Sequence, residues 1–151
     1  MIDLTQTIAA SGIISAVSDD GGVTFSREPG IRIAPGPNLD RLTAFAPEIL
    51  RLRTGGFRMY YAGYSNPRRA DILTAISDNG LDWQKASLPV LSGGSTNQGA
   101  VKCSEMCVIW NPRCPADPGQ FRMLHEACDG TAENQRGVWR IVGATCTDSA
   151  S

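Results

Sequence analysis

Long apolar runs, runs of one charge and histidine are what this sequence is short of. No stretch approaches the roughly 20 consecutive apolar residues that a spanning helix needs, so no membrane partner is expected. Charge is nearly balanced, with 14 Lys and Arg against 15 Asp and Glu. No basic stretch interleaved with aromatics is present to track a phosphate backbone, and nucleic acid is not an expected partner. Met1 to Val17 carry Asp3 and no basic residue ahead of short apolar pieces. That is not the make-up of a secretory signal, and a soluble, cytoplasmic protein is the expectation. The lone His125 and the irregular cysteine spacing match no zinc pattern. With no Ser-His-Asp order and no phosphate-cradling glycine loop either, neither a metal nor a cofactor is expected.

The first two thirds of the chain lack cysteine altogether. All five, Cys103, Cys107, Cys114, Cys128 and Cys146, follow it, and five is odd, so at least one thiol has no partner within the chain. Buried free thiols in a reducing compartment are expected before one or two disulfides.

What is present is a chain of short apolar runs with period-two alternation, punctuated by 16 glycines and 9 prolines spread throughout. This is an all-β pattern. It also repeats. Ala16-Val17-Ser18-Asp19 returns as Ala75-Ile76-Ser77-Asp78, each followed by a glycine turn and an aromatic, Phe25 or Trp83. Phe57-Arg58-Met59 returns as Phe121-Arg122-Met123 at a similar distance, and Ala144-Thr145-Cys146-Thr147-Asp148 is a weaker third copy of the first marker. Two markers recurring in the same order at similar spacing define a structural unit.

The complete unit reads as four strands, Pro47 to Leu52, Phe57 to Tyr64, Asp71 to Ser77 and Trp83 to Leu91, with Asp78-Asn79-Gly80 as the tight turn before the last. Four antiparallel strands per repeat of this length make the blade of a β-propeller. The whole chain, 1–151, is then one incomplete propeller domain of about two and a quarter blades. Residues 12–33 supply the last two strands of a blade, 47–91 a complete blade, and 106–145 three strands of another. Sheet faces left uncovered by such a truncation favour self-association.

Ser18-Asp19-Asp20-Gly21-Gly22-Val23-Thr24-Phe25 resembles the Asp-box turn of sialidases and other propellers, in which a carboxylate binds turn amides and the aromatic packs between sheets. Ser77 to Trp83 is one residue shorter and is more similar to a turn of glycoside hydrolase families 43 and 32, with Asn79 where those have Asp. Phe45-Ala46-Pro47-Glu48-Ile49 and Gly56-Phe57-Arg58-Met59-Tyr60-Tyr61-Ala62-Gly63 resemble the segments with which the five-bladed glycoside hydrolases begin a blade. The resemblance runs from about Ile13 to Asp148 and implies carbohydrate as the partner. It also implies carboxylates on the innermost strands that cleave a glycosidic bond, one as acid and one as nucleophile or base.

Carried onto this chain, the resemblance points to Glu105 as the acid, with Glu48 or Asp40 as its partner. Arg68, His125 and Asp129 are candidates for contacts to substrate, and Arg69 accompanies Arg68 in its loop. Alternation puts Arg122 and Glu126 on one face, where an Arg–Glu pair between blades is expected. The family's first blade, which carries the base or nucleophile, has no whole counterpart here, so an incomplete site is expected. The rival readings are a non-catalytic carbohydrate- or protein-binding propeller module and a sialidase-like fragment.

Overall fold

The computed structural model describes residues 11–94, 101–111, 120–130 and 137–147. They form nine strands and no helix. A short hairpin pairs β1 (Ala16–Val17) with β2 (Ser26–Arg27). An antiparallel meander follows, built from β3 (Thr43–Arg51), β4 (Phe57–Asn66), β5 (Arg69–Ser77) and the two-residue β6 (Gln84–Lys85). A second meander contains β7 (Lys102–Asn111), β8 (Gln120–Cys128) and β9 (Trp139–Thr147). One parallel strand pairing, Ala70 with Lys102, joins the two meanders, and the Cys103 thiol reaches the Ser92 carbonyl at 3.8 Å beside it. The protein is therefore all-β, with open sheets.

Local chemistry explains the turns. Gly55 and Gly56 both have positive φ, 98° and 72°, and a Cβ on Gly56 would lie 2.8 Å from the Ser77 carbonyl oxygen, so only glycine closes the β3–β4 turn. At the β4–β5 turn Pro67 fixes its own φ, and the Asn66 side chain accepts a hydrogen bond from the Arg68 amide at 2.8 Å. The two glycine turns singled out in the sequence share one wiring. Asp20 Oδ1 accepts from the amides of Val23 and Thr24 at 3.0 and 2.9 Å, and Asn79 Oδ1 accepts from those of Leu81 and Asp82, both at 2.9 Å. Their aromatics part company. Trp83 packs against the core and donates from Nε1 to the Gly80 carbonyl, whereas Phe25 is 64% exposed because no described segment lies over it.

Strand boundaries differ from expectation at two kinds of place. β3 and β7 start at Thr43 and Lys102 rather than at Pro47 and Met106, because each contains a β-bulge, between Phe45 and Glu48 and between Ser104 and Met106. Pro47, which has no N–H to give a ladder, sits in the first bulge, where none is required. The fourth strand expected over Trp83 to Leu91 shrinks to Gln84–Lys85 and a bridge from Leu91 to Ile72, with Pro89 between them.

The repeat is structural as well as textual. Ser11 bridges Thr43 in parallel as Ala70 bridges Lys102 one repeat later, and Ile13 bridges Ile33 as Ile72 bridges Leu91. Two cores result. Ile13 and Ile33 pack on one face of the first meander through Ala44, Met59, Tyr61 and Leu73. Tyr60, Ala62 and Ile72 on its opposite face pack against Cys103, Met106, Val108 and Met123 of the second meander. No helix of the described residues is long and apolar enough to cross a membrane.

Candidate functional site

The site is built on the bulge of β7. Ser104 faces Glu126 and Met106 faces His125, so Glu105 is the extra residue, unpaired in the ladder, at φ 41°. A glutamate in the left-handed region is held there at a cost of roughly 1–2 kcal/mol. Bulges aim side chains away from the regular alternation, and here the exposed Glu105 lines a groove of about 380 Å³ together with Ala46, Pro47, Met106, Leu124 and His125.

Three groups lie within the electrostatic reach of one another. Burial raises the Glu126 carboxyl above its ordinary value, and the negative charge of Glu105 raises it further. Tyr64 is raised likewise, first by burial, then by Glu105, Cys128 and Glu126. Glu105 and Glu126 are thus neighbouring carboxylates in unlike surroundings, one exposed and one half-buried.

His125 is buried, and its Nδ1 lies 2.9 Å from the Glu126 carbonyl oxygen. A carbonyl only accepts, so Nδ1 is the donor in this contact. Lys102, 4% exposed, lies 5.0 Å from the Tyr64 ring centroid and 6.0 Å from that of Trp139. Burial lowers its pKa, with Cys128 opposing.

The other expected residues lie elsewhere. Asp40 is buried at the opposite face of the first meander, beside a separate cavity of about 240 Å³. It accepts from Lys85 Nζ at 2.5 Å, from Gly36 N at 3.1 Å and from the Tyr61 hydroxyl at 3.2 Å. This carboxylate is neutralised and hydrogen-bonded on several sides. The Tyr61 hydroxyl is pushed beyond its usual range by burial and then by the Asp40 charge. Glu48 is half-buried on β3 opposite Tyr60. Asp129 is held at the mouth of the β8–β9 hairpin by Arg140 and by the Val138 amide, at 2.9 Å from the latter. Its pKa is lowered, chiefly by the Arg140 hydrogen bond. Arg68 is exposed in the β4–β5 turn, while Arg69 Nε spans both oxygens of buried Asp71 at 3.2 and 3.1 Å.

The expected Arg122–Glu126 ion pair is not among those of the described residues, and Glu126 turns instead to the neighbourhood of Glu105. Sequence alternation finds the face of Glu126 but not this partner, because the bulge that swings Glu105 leaves no compositional trace. Cys103, Cys107 and Cys128 are free thiols, only Cys107 of them exposed. Cys114 and the side chain of Cys146 lie outside the described residues. Among those residues no group of three or more His, Cys, Asp or Glu could hold a metal ion.

No family model and no curated protein matches this chain. Nine chains of known structure do. One is the crystal structure of an N-acetylgalactosamine deacetylase from F. plautii in complex with blood group B trisaccharide, at 17% identity and a TM-score of 0.61, over 88% of this chain and 40% of that one. At this identity the likeness is one of fold. This chain spans less than half the length of that neighbour.

Proposed function

We propose that this chain is part of a β-propeller that processes carbohydrate, and that Glu105 and Glu126 are the carboxylates of its hydrolytic site. The observation that carries the reading is that the exposed Glu105 lines an open groove and lies close enough to the half-buried Glu126 for its charge to raise that carboxyl. Two carboxyl groups in unlike environments are what glycoside hydrolysis requires. Glu126 gives its proton to the leaving oxygen as the bond from C1 breaks. Glu105 either attacks C1 or takes a proton from the water that does, and one water is added across the bond overall. The family resemblance alone makes Glu105 the acid, with Glu48 or Asp40 beside it. The surroundings of Glu126 favour it for that role, and the three partners already held by Asp40 set that residue apart. Glu48, Arg68 and Asp129 are left as candidates for contacts to sugar hydroxyls, as is His125, whose ring lines the groove.

A second reading, removal of an acetyl group from an amino sugar, is favoured by the deacetylase activity of the F. plautii neighbour. One experiment separates the two. The purified chain is incubated with a panel of nitrophenyl glycosides that includes the N-acetylgalactosaminide, and nitrophenol and acetate are both measured. Nitrophenol that disappears on Glu105→Gln and Glu126→Gln supports glycosidic cleavage, and acetate without nitrophenol supports deacetylation. Saturable binding with neither product would overturn the catalytic reading in favour of a carbohydrate-binding module.

A further inference from the structure

Every sheet in this chain has two faces, and the internal repeat shows how successive sheets meet. The ribbon of Ile13 and Ile33 lays its leading face on the trailing face of the first meander, which carries Met59, Tyr61 and Leu73. The first meander in turn lays its leading face, with Leu50, Tyr60 and Ile72, on the trailing face of the second. The same two-sheet contact is therefore made twice.

At both ends of the series the matching face is bare. On the second meander Ile109 faces Arg122 as Leu50 faces Arg58 on the first, and Leu124 faces Cys107 as Tyr60 faces Glu48. Ile141 faces Glu126 across β8 and β9 as Ile72 faces Ala62 across β4 and β5. These leading-face residues, Ile109, Leu124 and Ile141, are 53%, 58% and 67% exposed, although their counterparts are covered. At the other end the trailing side of the first ribbon exposes Ile14 and Ile31, at 50% and 56%. Ile31 lies on the side away from Ile13, since a Cβ on Gly12 would meet its Cγ2 at 3.0 Å.

We propose that a second copy of this chain seats its Ile14–Ile31 side on the Ile109–Leu124–Ile141 face, head to tail. Leading face on trailing face is the one mode of sheet packing the described residues use, and the chain carries both surfaces. Such a heterologous contact leaves a free face of each kind, so it grows to a ring if the rotation closes and to a longer assembly if it does not. The contact also bears on the site. Cys107, Leu124 and Ile141 line the groove beside Glu105, so the partner copy's ribbon walls the groove that a single chain leaves open.

The test is the solution mass of the full chain by light scattering across a concentration series, which is read without reference to any substrate. The native chain is expected to reach at least twice the mass of one chain. Leu124→Asp and Ile14→Lys, both at exposed positions and checked for an unchanged circular dichroism spectrum, are each expected to return it to one. Mixing the two variants is expected to restore a dimer, because each keeps the face that the other has lost. A native chain that stays monomeric at every concentration overturns the proposal. So does an assembly indifferent to both substitutions, which would point to edge pairing along β9, and so does a mixture that stays monomeric, which would point to a symmetric contact.

Discussion

Ala46 and Glu105 occupy the same place in successive repeats: each lies in the bulge of the first strand of its meander, and each has positive φ, 49° and 41°. One repeat fills the position with a methyl group and the other with a carboxylate. The backbone device is shared by both repeats, and a carboxylate is added to it at one copy only.

Stability and function should therefore separate at Glu105. The left-handed conformation costs a non-glycine residue roughly 1–2 kcal/mol, while the freer unfolded chain of glycine offsets about 0.5–1 kcal/mol of that relief. Glu105→Gly is expected to be as stable as the native chain or up to about 1.5 kcal/mol more so. Glu105→Val is expected to be less stable, since a β-branched residue tolerates positive φ worst. Both should lose carbohydrate turnover or binding. Urea midpoints read the first effect, and a Glu105→Gly midpoint well below the native one would show that the bulge does not hold this conformation in solution.

The Glu126 carboxyl should titrate above its ordinary value of 4.5, through burial first and the charge of Glu105 second. Its folded pKa exceeds the unfolded one, so the folded state binds more protons between the two values. The stability associated with this group is present at lower pH and falls as pH rises through that window. Glu126→Gln is expected to remove the slope and to be the more stable protein at neutral pH. Carboxyl-carbon NMR provides the check: the Glu126 midpoint should move down on Glu105→Gln, and a midpoint that stays in place would uncouple the pair.

Much of this architecture is legible in the residues. Phe121 to Cys128 marks β8 by alternation, since that strand is covered on one face. Phe57 to Tyr64 and Asp71 to Ser77 mark β4 and β5 as short apolar runs between turns, since those strands are buried on both faces. The repeat is readable because both turns use a side-chain oxygen and a glycine at fixed spacing. Pro47 hides the start of β3, since a proline argues against a strand unless a bulge is known to be there. The carboxylate pair is hidden for the same reason, a bulge being a backbone event that any residue can occupy. Asp40, just before β3, reads in the sequence as a candidate partner for Glu105. Its actual partners, Tyr61 and Lys85, lie far along the chain and are brought to it only by the folded sheet.

That network makes Asp40 a stability residue in the first instance. Lys85→Met leaves a buried carboxylate without its cation and is expected to cost about 3 kcal/mol. Tyr61→Phe removes one hydrogen bond to a charged group and is expected to cost about 1.5–3 kcal/mol. Since both side chains act on one carboxylate, the double variant should cost less than the two singles combined, the two contacts sharing a single acceptor. Chemical denaturation of the three variants measures the coupling, and strict additivity would mean that the two contacts are independent.

The thiols report on the assembled state. Cys103 and Cys128 are buried, and burial followed by the Asp71 charge pushes the Cys103 thiol up to about 11. Cys107 is exposed on the same strand as Ile109, on the face assigned above to a second copy. Since the thiolate is the reacting form and access limits the rest, iodoacetamide at mildly alkaline pH should modify Cys107 well before Cys103 and Cys128, as read by peptide mass mapping. The rate at Cys107 should also fall as protein concentration rises, and Ile14→Lys, on the opposite face of the chain, should abolish that dependence while leaving the rate in dilute solution unchanged. A Cys107 rate that ignores concentration in the native chain would place the contact elsewhere on the molecule.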